Sequence, residues 1–241
     1  MHPLHRLAGA LALLLAAFLT GCAVPVQAPV ELKPNVMESI KAKGGRVGVL
    51  MTELPKPNTS FPGADCLLCI GVANLNHKDL NPVVQAFSTQ ELLALPKDLV
   101  AMLKRQGLDA VLISEPVNWD ALPDFKAADP TNKSRKDLGA LRDKHKLDRI
   151  LVVQVTALGV WRSYAAYVPT DVPRAVLNGQ AALVDLSTHS LDWYLPLTLA
   201  RAAEGPWSEP PKYPGLTNAY FQVLELGMDM VKKPFVQPVG R

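Results

Sequence analysis

What this chain lacks narrows its function more than what it contains. Cysteine is scarce, with residues only at 22, 66 and 69, so a disulfide-built scaffold is excluded. Aromatic residues make up 6% of the chain. The main apolar run, Leu7 to Phe18, falls short of the roughly 20 residues that a permanent membrane helix needs. No GxSxG, HExxH or glycine-rich phosphate loop is present, and Gly44, Gly45 and Gly48 lack the dinucleotide-binding spacing. No block of lysine and arginine with interleaved aromatics offers a nucleic-acid surface. Two of the five histidines fall within the first 21 residues, and His77, His145 and His189 belong to three different elements. His145 sits near a helix C-terminus, where a cation is mildly favoured. Carboxylates such as Asp171 and Asp185 are not placed in space by the sequence, so a glycosidase pair is unsupported rather than excluded. These absences predict a protein without cofactor, metal or catalytic site.

The N-terminus is informative. His2, His5 and Arg6 precede the apolar run, which ends in Leu19-Thr20-Gly21-Cys22. A weakly basic start, a short apolar stretch and small residues before the cut describe a cleavable export signal. The four final residues resemble the bacterial lipobox position for position. That resemblance implies a thioether lipid on Cys22, cleavage before it and N-acylation, an attachment of two or more chains that does not release on cellular timescales. The uncharged Ala23 resembles lipoproteins sorted to the outer membrane, facing the periplasm. Loss of residues 1–21 removes one arginine and no acid, leaving a formal charge of +2 on the mature chain.

With Cys22 taken by lipid, Cys66 and Cys69 remain as a CxxC pair in an oxidising compartment. The reading is a local disulfide worth about 2 kcal/mol, since the loop it closes is so short. Two reduced, buried thiols are the first alternative. Redox catalysis is a weaker one, because Pro62-Gly63-Ala64-Asp65 precedes the pair and Leu67-Leu68 fills it, unlike a strand leading to a helix N-terminus. Zinc is weaker still, with His77 the sole nearby third ligand.

Residues 22–34 carry three prolines and read as an extended tether, followed by one α/β domain over 35–235 and a tail at 236–241. Asn35 with Glu38 predicts a capped helix to Lys43. Strands are expected at Arg46–Thr52, Leu108–Ser114 and Arg149–Gly159, the last apolar on both faces and therefore central. Ser88 and Glu91 have capping-box spacing, and Pro96 is expected to open the helix that ends at Gly107. Another helix is expected over Arg135–Lys146. Then come an extended aromatic stretch at Trp161–Val168, strands at Gln180–Leu186 and from Leu191, and a final helix at Thr217–Lys233 that buries Phe221, Leu224, Met228 and Val231. Pro196 places the last strand at a sheet edge. The order is β-α-β-α-β-β-β-α, a mixed sheet packed by helices.

The run Ala182-Leu183-Val184-Asp185-Leu186-Ser187-Thr188-His189-Ser190-Leu191-Asp192-Trp193 resembles the hairpin of envelope lipoproteins related to the curli-secretion channel lipoprotein and to the lipoprotein activators of penicillin-binding proteins. The resemblance covers residues 135–200 and the order of elements. It implies their mixed-sheet fold and an envelope role, while the CxxC segment, 161–170 and 207–220 depart from those groups. The residues support the hairpin independently: Asp185 and Thr188 are types that bond local amides in turns, and Trp193 supplies an inward anchor.

Ten of the fifteen aromatics, including every tyrosine, lie at or beyond Trp161. Tyr167, Trp207 and Tyr213 fall in loop or proline-rich contexts, which suits a partner-binding surface; the alternative is that they cap the sheet. The sequence therefore predicts a lipid-anchored, non-catalytic binding or assembly factor in the periplasm, with an envelope protein as partner. A ring-forming secretion component, and hence an oligomer, is the first alternative. A cell-wall enzyme is the second.

Overall fold

The computed structural model describes residues 27–236; the signal segment, Cys22 and Ala23 lie outside the described residues, as does the tail from 237. The principal elements follow the expected order. They are α1 (Pro34–Ala42), β1 (Arg46–Met51), β2 (Asn58–Ser60), α2 (Leu67–Asn76), α3 (Leu80–Gln85), α4 (Gln90–Arg105), β3 (Asp109–Leu112), α5 (Gly139–His145) and β4 (Arg149–Trp161). There follow β5 (Tyr164–Ala165), β6 (Val168–Pro169), β7 (Arg174–Asp185), β8 (Leu191–Ala202) and α6 (Pro214–Lys232), which runs into a 3-10 turn at Lys233–Phe235.

The sheet runs β3-β1-β4-β7-β8, with β2 continuing beside the far end of β4. Strands β3, β1, β2 and β4 are parallel, as chain crossovers through α4 and α5 require, and β4, β7 and β8 form an antiparallel meander. β4 is central and β8 is an edge, where Pro196 costs no internal ladder bond.

The two faces differ. One is fully covered by α1, α4 and α6, where Leu95, Leu99, Leu103, Tyr220 and Leu224 meet Leu151, Val153, Leu177, Leu183 and Trp193. The other is covered only toward the start of β4, where α5 and the 113–138 loop place Ile113, Leu138 and Leu141 on Ile150, Val152 and Val184. Beyond that cover the open face bears Gln154, Gln180 and Tyr194.

Several local expectations need correction. α1 begins at Pro34, with Lys33 preceding it and no side-chain cap, so Asn35 and Glu38 do not cap; proline at the first turn needs no N–H partner. α4 begins at Gln90 and holds Pro96 in its interior, buried with Leu92, Leu95 and Leu99, so core packing outweighs the lost backbone bond. α5 is shorter than expected because Lys133 and Lys136 form β-bridges to Ser190 and Asp124, and Asp137 then accepts the Gly139 amide at 2.8 Å. The segment after Cys66, to which the sequence assigned no element, is helix α2. In α6 the fully buried ring is Tyr220, while Phe221 is only half-buried. The last part of the stretch read as tether lies on the domain, where Val30 pairs with Tyr194 through two 2.9 Å backbone bonds.

Candidate functional site

The predicted hairpin closes as its residue types dictate. Asp185 accepts from the Ser187 amide and hydroxyl at 2.8 and 2.6 Å and from the Thr188 amide at 3.2 Å. Burial tends to raise the Asp185 pKa, but these bonds and Arg149 outweigh it and hold the carboxyl below its usual range. Arg149 reaches both Asp185 and Asp192 at 2.6 Å, joining the starts of β4 and β8 to the end of β7. Trp193 turns inward and meets Phe235 edge-on at 5.3 Å.

At the opposite end of the sheet, Cys66 and Cys69 form a disulfide across the first turn of α2. Cys66 caps that helix, its Sγ accepting the Cys69 amide at 2.9 Å, so the pair does stand at a helix N-terminus, contrary to the sequence reading. Cys69 is buried with Phe61, Ala64, Ala73 and Tyr164 in a small core of its own. Gly63 is required there: its φ is +87°, and a Cβ would lie 1.9 Å from the Tyr164 carbonyl oxygen.

His77, the candidate third zinc ligand, is committed elsewhere. Its Nδ1 bonds the Ala73 carbonyl at 2.9 Å, and its Nε2 accepts from the Arg162 guanidinium at 3.0 Å. Burial lowers its pKa first, with Arg162 adding to the effect against the Ala73 bond. Both ring nitrogens are thus satisfied by the neutral form.

What α2 leaves outside is apolar. Leu67 is 91% exposed, Leu75 71% and Leu68 66%, with Ile70 also exposed. The β5–β6 hairpin, bonded to the Gly63 carbonyl through the Ala166 amide at 3.2 Å, adds exposed Tyr167 and Val168 beside them. Scattered apolar side chains are ordinary on a surface, but four on one ten-residue helix are not.

Tyr167 is therefore presented to solvent, whereas the other two predicted contact residues are not. Tyr213 is 7% exposed and packs with Leu80, Val84, Val160 and Leu216. Trp207 is half-buried against the same group, with the Arg162 guanidinium 5.0 Å from its ring centroid. The proline-rich loop folds its rings back onto the domain instead of displaying them.

A third region, on the open face, carried no sequence signal. A cleft of about 500 Å³ lies over Gln154, Gln180 and Tyr194, walled by Trp119, Asp120 and Lys136. Tyr194 donates to Gln180 at 2.9 Å and Gln180 donates to Gln154 at 2.8 Å. Asn118 fixes the wall by accepting the Asp120 and Ala121 amides. Lys136 clamps it through Asp124 and the Leu122 carbonyl at 2.8 and 3.0 Å. These residues come from five separate segments, and polar side chains in a strand pattern read only as its solvent face. The alternation of β4 and β8 held the one hint.

No protein-family model and no curated protein matches the sequence. Among solved structures, the chain is similar to the PelC dodecamer subunit of Paraburkholderia phytofirmans, at 10% identity over 86% of this chain and 94% of that one, with a TM-score of 0.34. It is similar to lipoprotein GNA1162 of Neisseria meningitidis at 13% identity over 76% and 99%, with a TM-score of 0.27. It is also similar to a Xanthomonas campestris protein of the DUF330 family at 19% identity and a TM-score of 0.26, over 35% of this chain and only 43% of that one. Likenesses this distant transfer no ligand or activity. Among the described residues, no helix is long and apolar enough to cross a membrane.

Proposed function

We propose that this chain is a non-catalytic binding or assembly factor of the bacterial envelope, lipid-anchored through Cys22 at the outer membrane and facing the periplasm. Its contact with a protein partner is the α2 and β5–β6 tip. The observation that carries this reading is the exposed apolar group Leu67, Leu68, Ile70 and Leu75 on a helix fixed by a disulfide. A rigid apolar surface loses little entropy on docking.

Geometry favours a protein over the anchoring bilayer. Gln27 bonds Asn132, which pairs with Leu191 at the start of β8, whereas the tip lies beyond the other end of the meander. The 12 residues of β8 separate those ends by about 36 Å. The five-residue step from Cys22 to Gln27 reaches at most about 17 Å. Anchored there, the domain has the length to hold its apolar tip clear of the membrane.

The test is a photo-crosslinking residue at Leu68 in intact cells, with Lys43 as the control position. A discrete adduct at Leu68, lost in Leu67→Ser with Ile70→Ser, is expected. Adducts to lipid alone, or none above the control, would defeat the docking surface. Cys22→Ser should leave an unprocessed precursor that no longer fractionates with the outer membrane. Native mass measurement of the detergent-purified protein decides the ring alternative, since a closed ring gives one discrete high multiple of the chain mass.

A further inference from the structure

The open half of the sheet face holds more than the central cleft. A second depression of about 340 Å³, lined by Thr52, Glu53 and Thr156, shares Trp119, Asp120 and Gln154 with it. A third of about 380 Å³, beside Phe125 and Pro130, shares Gln27, Lys133 and Arg135 with it on the other side. The three adjoin in series, forming a groove rather than a pit.

The chemistry at the junction is specific. Among the described residues, the Trp119 indole N–H and the Gln154 amide nitrogen have no protein acceptor, and the Asp120 carboxylate has no donor. A flat apolar ring with one N–H, an amide with two free donors and an acceptor carboxylate therefore stand together at the groove's narrow centre. The Gln154–Gln180–Tyr194 chain orders the floor, and the Lys136 clamp holds the wall, so the groove exists before any ligand arrives.

The charges around it are largely committed to the protein. Lys136 is paired with Asp124, and Lys133 bonds the Thr188 carbonyl and Ser190 hydroxyl at 2.8 Å each. An anion would find these two cations already engaged. An extended peptide would find strand faces, whose backbone groups are consumed by the β4–β7 and β7–β8 ladders, rather than an edge. A pyranose matches: its C–H face stacks on an aromatic ring, and its rim hydroxyls both donate and accept.

We infer that this groove binds a neutral, linear glycan strand, gripped at Trp119, Asp120 and Gln154. Asp120 accepts from ring hydroxyls, Gln154 donates to hydroxyl or acetamido oxygens, and Trp119 carries the apolar face of one sugar. The adjoining depressions take the neighbouring sugars. This site is separate from the α2 tip, and its test involves neither the lipid nor the protein partner.

The experiment is calorimetric titration of the full chain, in a detergent without a sugar headgroup, with cellohexaose, chitohexaose and polygalacturonate. At least one neutral strand should bind at concentrations up to about 10 mM, with an affinity insensitive to salt. Asp120→Asn and Trp119→Ala should each weaken it about tenfold or more. Leu67→Ser should leave it unchanged. A preference for chitohexaose would assign the acetamido contact to Gln154, and equal binding would assign hydroxyl contacts alone; both support the groove. Because Trp119 also touches the core under the loop, Asp120→Asn, an exposed position, decides if Trp119→Ala fails to fold. Binding of polygalacturonate alone, binding of no strand, or undiminished binding by a folded Asp120→Asn protein would overturn the inference.

Discussion

The two ends of the sheet use their side chains in opposite ways. At the end where β4 and β8 begin, Arg149, Asp185, Asp192, Ser187 and Thr188 spend their polar groups on one another, and Trp193 is buried below them. At the end carrying α2, a small separate core of Cys69, Ala73 and Tyr164 sits beneath leucines left largely exposed. The first end satisfies its polar groups internally, while the second leaves an apolar surface exposed. Stability and binding are therefore expected to respond to different residues, which mutation can test.

The largest effect is expected from Arg149→Leu. It leaves Asp185 and Asp192, both largely buried, facing each other without a cation. Removing one partner of a buried ion pair typically costs about 3–5 kcal/mol, which denaturant unfolding at neutral pH would show as a large drop in midpoint. A loss under about 1 kcal/mol would mean that the network is effectively solvated. Tyr213→Ala comes next. Its ring is buried with Val160 and Leu216, so a loss of about 3 kcal/mol is expected, with partner crosslinking at Leu68 retained. That outcome would show the proline-rich loop to be structural, and crosslinking lost without destabilisation would return it to the binding surface.

The disulfide should matter less. Cys66→Ser with Cys69→Ser opens a loop of three-residue separation, and the expected cost is about 2 kcal/mol, localised to the tip. Hydrogen exchange should quicken across α2 and leave β7 and β8 protected. Uniform quickening would show that the tip and the main sheet unfold as one unit.

These regions also differ in how far the sequence revealed them. The hairpin was legible because its signals are local: Asp185 and Thr188 bond amides within three residues, and β8 alternates with period two. The central place of β4 followed from its two apolar faces. α2 was not legible, because Leu67, Leu68, Cys69 and Ile70 form a continuous apolar run without helical periodicity, and the unburied side of that run is what hid it. Tyr213 misled because a proline-rich context suggests display, whereas a left-handed backbone at φ 45° turns this ring inward. The groove depends on 119–120, 133–136, 154 and 180 meeting in space, which no local pattern encodes.

The smallest effect expected concerns pH, and it too separates the two ends. His77 lies under the tip with its pKa lowered below the ordinary 6.5, chiefly by burial. The unfolded chain therefore binds a proton more readily than the native one. Where that holds, stability rises with pH: the contribution is fully present above about 6.5 and is lost as pH falls below it, until the native ring also takes its proton. Protonation would set a cation against Arg162, 3.0 Å from Nε2, and would loosen the contacts with Phe61 and Tyr164. The tip should thus open before the main sheet on mild acidification, seen as hydrogen exchange at pH 5.5 that quickens in α2 relative to pH 7.5 after correction for intrinsic rates. His77→Gln keeps a group able to bond Ala73 but cannot titrate in this range, so it should abolish the difference between the two pH values. If α2 in that variant still quickens at pH 5.5, the acid sensitivity belongs to another group and His77 is only a packing residue.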